Sequence, residues 1–281
     1  MLDVVRARPG LWPVAWLGRV APADAGMLHW LLRLACAAEF VGHGAFGIIT
    51  KAAWVPYFGV VGIPPELAWK LMPIIGSLDI TLGLLTLVRP MRGVLLYMAF
   101  WGLATATIRP LAGEPIWEFV ERVPNWAVPL AFFGLVSGTH ALGPWRLERL
   151  LRLAVSGALV GHGAYGAFLA KPSWADYLAV LGIPSASGGP LVAGIGAFEM
   201  AIGLVALVAP VPALLVFLAA WKISTELLRP LAGEPAWEFL ERASNMLAPL
   251  ALGYVRGWAG VPSRGGFVPE PSVHVPPWGP E

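Results

Sequence analysis

Residues 109–125, RPLAGEPIWEFVERVPN, return at residues 229–245 as RPLAGEPAWEFLERASN, identical at thirteen of seventeen positions. An internal copy at a fixed period constrains the fold before any local propensity is weighed, because both copies must build the same unit. Working outward extends the match. GHGAFG at residues 42–47 reappears as GHGAYG at 161–166, Lys51-x-x-Trp54 as Lys171-x-x-Trp174, and Gly62-Ile63-Pro64 as Gly182-Ile183-Pro184. Asp79 aligns with Glu199 and Trp101 with Trp221. The offset is 119 residues up to the histidines and 120 after them, so the second copy carries one extra residue between His162 and Lys171. The positions that persist are ionisable, aromatic, glycine or proline, while the aliphatic residues between them drift. That is the signature of a repeated site.

What unit is repeated follows from composition. Hydrophobic residues make up 57% of the chain and charged residues only 13%, and the mean hydropathy is +0.70. A soluble domain is about half apolar and about a quarter charged, so this is the composition of an integral membrane protein. The formal net charge of +2 is spread over loops and termini, which excludes a nucleic-acid patch. Cys36 is the only cysteine, which excludes an intrachain disulfide and a CxxC relay. Proline and glycine interrupt the first nineteen residues, so no cleavable signal is expected there.

A helix crossing hydrocarbon needs about 20 mainly apolar residues. On that measure the first copy gives spans at 29–50, 67–88, 93–108 and 126–142, and the second at 150–170, 191–209, 212–228 and 246–257. Three glutamates within residues 114–122 are too costly in lipid for a span, so that stretch and its copy at 234–242 are expected as short amphipathic helices facing outward. The expected fold is an all-α integral membrane protein of two tandem four-helix transmembrane bundles, eight spans in all, with a parallel internal repeat. Its parts are an interfacial arm (1–27), the first repeat (28–143), the second repeat (144–259) and a Pro/Gly-rich tail (260–281). Basic residues favour the side of the termini by eleven to seven, which places both termini in the cytoplasm and the protein in the cell membrane.

Helix order and direction bring His43, Asp79 and Arg109 to one outward-opening end of the first bundle, with Glu114 just above. The second copy supplies His162, Glu199, Arg229 and Glu234 in the same places. A carboxylate inside the bilayer faces a partner or a wet cavity, and so marks a ligand or proton site. The same pairs could equally tie helices together, and Gly42 and Gly44 could serve only close helix approach. Lys222 and Glu226 occur in the second copy alone, where the first has Gly102 and Ala106. Either one bundle has acquired something the other lacks, or the pair is a local lock. Glu118 and Arg122, four residues apart, read as a solvated ion pair, and Trp117 and Phe119 as interfacial anchors. Glu39 and His43 could share a metal, but the second copy has Ala158 at the first position, so no intrinsic metal site is expected. No Walker loop, HExxH helix or catalytic triad order occurs.

Arg33, Gly42-His43-Gly44 and Lys51, repeated as Arg152, Gly161-His162-Gly163 and Lys171, resemble the DoxX-like family of small four-helix membrane proteins, here in tandem. Some of those relatives are membrane subunits of thiosulfate:quinone oxidoreductases, and others accompany thiol-stress systems. The resemblance implies a quinone-linked membrane subunit in which His43, His162, Asp79 and Glu199 make quinone or proton contacts. It also implies a redox partner protein, since the chain has no haem, flavin or thiol motif. A small-solute or ion transporter and a structural scaffold are the alternatives.

Overall fold

A computed structural model describes residues 26–137, 144–169, 173–184 and 188–256. The expected arm up to residue 25, the terminal tail and Lys171 lie outside the described residues. The described chain is helical, with no β-strand element among its residues. The first copy comprises α1 (Met27–Ile48), a 3-10 turn (Ala52–Trp54), α2 (Val55–Val60), α3 (Pro65–Val88), α4 (Arg92–Leu111), α5 (Trp117–Glu121) and α6 (Val123–Ser137). The second follows in the same order as α7 (Pro144–Ala164), α8 (Ser173–Val180), α9 (Gly188–Val208), α10 (Pro212–Leu231), α11 (Ala236–Glu241) and α12 (Ala243–Val255).

Local chemistry sets the boundaries. Pro64 is extended, with φ −71° and ψ 156°, and Pro65 then opens α3, where a missing N–H costs nothing. α4 ends inside the repeated RPLAGEP sequence. Gly113, at φ +95°, donates its N–H to the Pro110 carbonyl, and the Glu114 N–H bonds the Arg109 carbonyl. This is the Schellman closure that a glycine permits, and it folds Glu114 back toward Arg109. Gly233 and Glu234 repeat it at the end of α10. The extra residue of the second copy also finds its place. α7 passes into a π-helical turn, Tyr165–Leu169, which is how a helix absorbs one inserted residue without losing its register beyond.

Four helices, Met27–Ile48, Pro65–Val88, Arg92–Leu111 and Gly189–Val208, are long and apolar enough to cross a membrane. Arg146–Leu169 with Ser173–Val180, bent by 101°, forms a fifth candidate. α10 reaches 20 residues but carries Lys222, Glu226 and Arg229, while α6 and α12 have only 15 and 13 residues. The outer helices leave large apolar side chains uncovered: Ile74 is 64% exposed, Phe100 65% and Leu204 54%. Apolar exposure on this scale suits lipid rather than water. This is a membrane protein.

α1, α6, α7 and α12 meet in the centre, around buried Leu32, Phe40, Phe132, Leu151, Leu159 and Leu252. α3 packs on α1, and α9 on α7. The copies interlock, because α11 of the second seats on α1 of the first, and α5 of the first on α7 of the second. Glycine makes this possible. A Cβ at Gly42 would lie 2.3 Å from the backbone nitrogen of Glu241, and one at Gly161 would lie 2.1 Å from that of Glu121. The short helices expected as solvated surface elements are therefore inner ones. Glu118 and Glu121 are each 7% exposed, because the first helix of the opposite copy covers them.

Candidate functional site

His43 leaves α1 one turn before its end, and Asp79 stands at mid-length on α3. Their helices are held together by Gly44 and Gly76, where an added Cβ at either would lie within 2.5 Å of the other's carbonyl oxygen. At that separation His43 Nδ1 reaches Asp79 Oδ2 at 2.8 Å, and the imidazole stacks on Trp54 with centroids 4.7 Å apart. A carboxylate at Nδ1 fixes the proton there and leaves Nε2 for another partner. The second copy repeats the construction. His162 Nδ1 meets Glu199 Oε2 at 2.5 Å, and Trp174 stacks at 4.6 Å.

The copies then differ by one methylene. Glu199 uses its second oxygen to accept a 2.8 Å bond from Trp221 Nε1. Asp79 is shorter, and both its Oδ1 and the indole nitrogen of Trp101 are buried without a hydrogen-bond partner.

A second polar group forms at the end of α4. Arg109 Nη1 donates to the Tyr57 hydroxyl at 2.8 Å, to Glu114 at 3.2 Å and to Glu118 at 3.4 Å. Burial is the main reason that the Tyr57 hydroxyl ionises well above its ordinary pH; it keeps its proton and donates it to Glu114. Arg229, Tyr177 and Glu234 match this trio. Arg109 does not touch the His43–Asp79 pair. Arg109 and His43 border one cavity of about 330 Å³ between α3 and α4, with α2 at its side. Its polar lining includes His43, Arg109, Arg122, Asn125 and, from the second copy, Glu241. Trp54, Tyr57, Phe58, Leu71, Ile75 and Ile108 give it aromatic and aliphatic walls.

Lys222 and Glu226, present only in the second copy, are each 1% exposed. Lys222 Nζ lies 2.8 Å from Glu226 and 4.0 Å from Glu199. The other oxygen of Glu226 is 2.8 Å from Arg229 Nε and 3.4 Å from Arg242 Nε. The Glu118–Arg122 pair forms as the spacing implies, but buried. Its counterpart, Arg242 with Glu238, closes at 2.7 Å. Glu241 is buried, which alone would raise its pKa, but Arg242, His43, Arg122 and Lys51 together hold it down at about 2. Glu39 and His43 are each engaged elsewhere, Glu39 accepting from Ser244 of the second copy. Among the described residues no group of three or more His, Cys, Asp or Glu could hold a metal ion.

Sequence reasoning missed Tyr57, Tyr177 and Glu241 as parts of these groups. The signal was available, since Tyr57 and Tyr177 stand 120 residues apart, at the period of the repeat. No family model, curated protein or solved structure matches the chain.

Proposed function

We propose that the protein is a membrane subunit of a quinone-linked redox system, holding a quinone head group in the cavity of the first repeat. The supporting observation is that cavity. At about 330 Å³ it falls within the range of small-molecule sites, which are mostly apolar with a few placed polar groups. Arg109, Arg122 and His43 Nε2 are suited to the oxygens of a flat head. Trp54, Tyr57 and Phe58 are suited to its faces, and the aliphatic walls to the start of an isoprenoid tail. In this reading the chain is a DoxX-like tandem repeat of two four-helix units, eight spans in parallel orientation, with both termini on the cytoplasmic side of the cell membrane. Electrons come from a partner protein.

The test is a lipid extract of the protein purified in mild detergent. A quinone should co-purify, and His43→Ala should lose at least nine-tenths of it, whereas the surface substitution Glu66→Gln should not. A preparation free of quinone that also fails to take up decylubiquinone would sink the proposal.

Transport is the second reading, favoured by a small polar cleft where the copies meet, bordered by Glu121, Arg122, Glu241 and Arg242. Parallel-repeat transporters place substrate sites at such a junction. Proton flux into liposomes that falls in both Asp79→Asn and Glu199→Gln would favour it.

A further inference from the structure

The two main walls of the cavity, α3 and α4, are both long and apolar enough to cross a membrane. A short connection joins them, yet they pack on different neighbours, α3 on α1 and α4 on α6, with little contact between themselves. Around each helix three faces follow one another. The first is buried against the bundle, through Met72, Gly76 and Asp79 on α3 and Gly102 and Ala106 on α4. The last is bare and apolar, with Ile74 and Leu78 exposed on α3, and Phe100 and Leu103 on α4. Between the two, at helical spacing, stand Leu71 and Ile75 on α3 and Ala104, Thr105 and Ile108 on α4, all half-buried, and these residues line the cavity. The cavity therefore lies where the bundle meets lipid, with its open side between two lipid-facing surfaces. Its end is covered. Trp54, Tyr57 and Phe58, from α2 and the turn before it, line the cavity, while Pro56, Gly59 and Val60 are exposed. The Tyr57 hydroxyl ties α2 to the end of α4 through Arg109 and Glu114. Pro73, where the second copy has Ala193, stands inside α3 between Leu71 and Ile75. A proline there removes a backbone hydrogen bond, so this wall is the one able to give.

We infer that the ligand enters sideways from the bilayer, through the gap between α3 and α4, and that its hydrocarbon tail stays in that gap once the head lies among His43, Arg109 and Trp54. The inference rests on the cavity being a quinone site, as proposed above. To that reading it adds a route and a substrate class: a lipid-dissolved molecule with a tail, taken from the membrane, in preference to a water-borne head group. A tail in the gap covers Leu71, Ile75, Ala104 and Ile108, whose apolar surface then faces hydrocarbon along its whole length. The tie from Tyr57 to Arg109 and Glu114 keeps α2 across the other way in.

Photocrosslinking of the full chain in lipid nanodiscs tests the route. The probe is a ubiquinone analogue that carries a diazirine midway along a decyl tail. Irradiation should label the facing stretches of α3 and α4, residues 71–78 and 100–108, and excess decylubiquinone should suppress that label. Ala104→Phe, which narrows the gap, should weaken decylubiquinone binding about tenfold, the loss of burial for about two methylenes. The same head group without its tail should bind wild type and variant alike. Suppressible labelling confined to α2, or to the central helices α1, α6, α7 and α12, would overturn the inference, and so would equal weakening of the tailed and tailless quinones. Should Ala104→Phe not fold, the labelling of the wild-type chain still decides. A chain that binds neither quinone would remove the proposed function itself, whereas suppressible labelling away from α3 and α4 would leave that function standing and remove only the route.

Discussion

One methylene separates the two acidic sites, and its consequence is measurable. Glu199 satisfies both a histidine and an indole N–H, while Asp79 leaves one carboxylate oxygen and the Trp101 nitrogen without partners. A hydrogen bond restored between two buried groups is worth about 0.5–1.5 kcal/mol. Asp79→Glu is therefore expected to raise the melting temperature in detergent, and Trp101→Phe to cancel that gain. An unchanged or lowered midpoint would show that the extra methylene does not fit. Glu226 gives a loss instead of a gain. Removing one member of a buried ion pair leaves charge uncompensated and costs about 3–5 kcal/mol. Glu226→Met, which strips Lys222, Arg229 and Arg242 of a shared carboxylate, should destabilise strongly, and Lys222→Met, which leaves Glu226 both arginines, much less; equal losses would contradict that account. The candidate residues themselves were legible in the sequence, because ionisable groups in apolar helices are conspicuous and the repeat presents all of them but Lys222 and Glu226 twice. The hydrogen bonds were not legible. Whether a carboxylate reaches an indole nitrogen depends on a distance set by helix spacing, which neither copy's residues specify alone.

At the level of elements, the repeat and the helix ends could be read directly, and the burial of the short helices could not. The RPLAGEP sequence encodes its own closure through a proline, a glycine at positive φ and a glutamate turned back on an arginine. Glu118, Glu121, Glu238 and Glu241 looked like a water-facing set because charge within one helix says nothing of what covers it. What covers them is the first helix of the other copy, through Gly42 and Gly161. Those glycines were legible as points of close approach, but their partners were not. The contact makes a prediction. A methyl group at Gly42 would come within 2.3 Å of the Glu241 backbone, and overpacking of this kind typically costs about 1–3 kcal/mol. Gly42→Ala should lower the unfolding midpoint, while Gly59→Ala, where an added Cβ meets nothing within 4 Å, should not. Similar behaviour of the two variants would mean that α11 can back away from α1 at little cost.

Over the whole molecule, the interlock means that charges of one copy set the chemistry of the other, and acid should reveal it. Glu241 belongs to the second copy, yet His43, Arg122 and Lys51 of the first, with its neighbour Arg242, outweigh the burial that would raise its pKa and bring it from 4.5 to about 2. A group whose pKa is depressed on folding stabilises the native state above its unfolded value, and that stabilisation is lost as the pH falls toward the folded value. For Glu241 the contribution is present in full above about pH 5, declines below about pH 4.5 and is gone near pH 2. Its size is about 3 kcal/mol, at about 1.4 kcal/mol per pKa unit. Glu241→Gln should accordingly lower the melting temperature at pH 6 and have little effect at pH 2.5, so that the two curves converge in acid. Because the carboxylate stands where α11 meets α1, the loss should appear as loosening between the copies. Hydrogen exchange in α11 and at the end of α1 should quicken below pH 4 before it does in α9, which lies away from this junction. Parallel curves for wild type and variant across this range would place the acid sensitivity elsewhere and detach Glu241 from the first copy's charges.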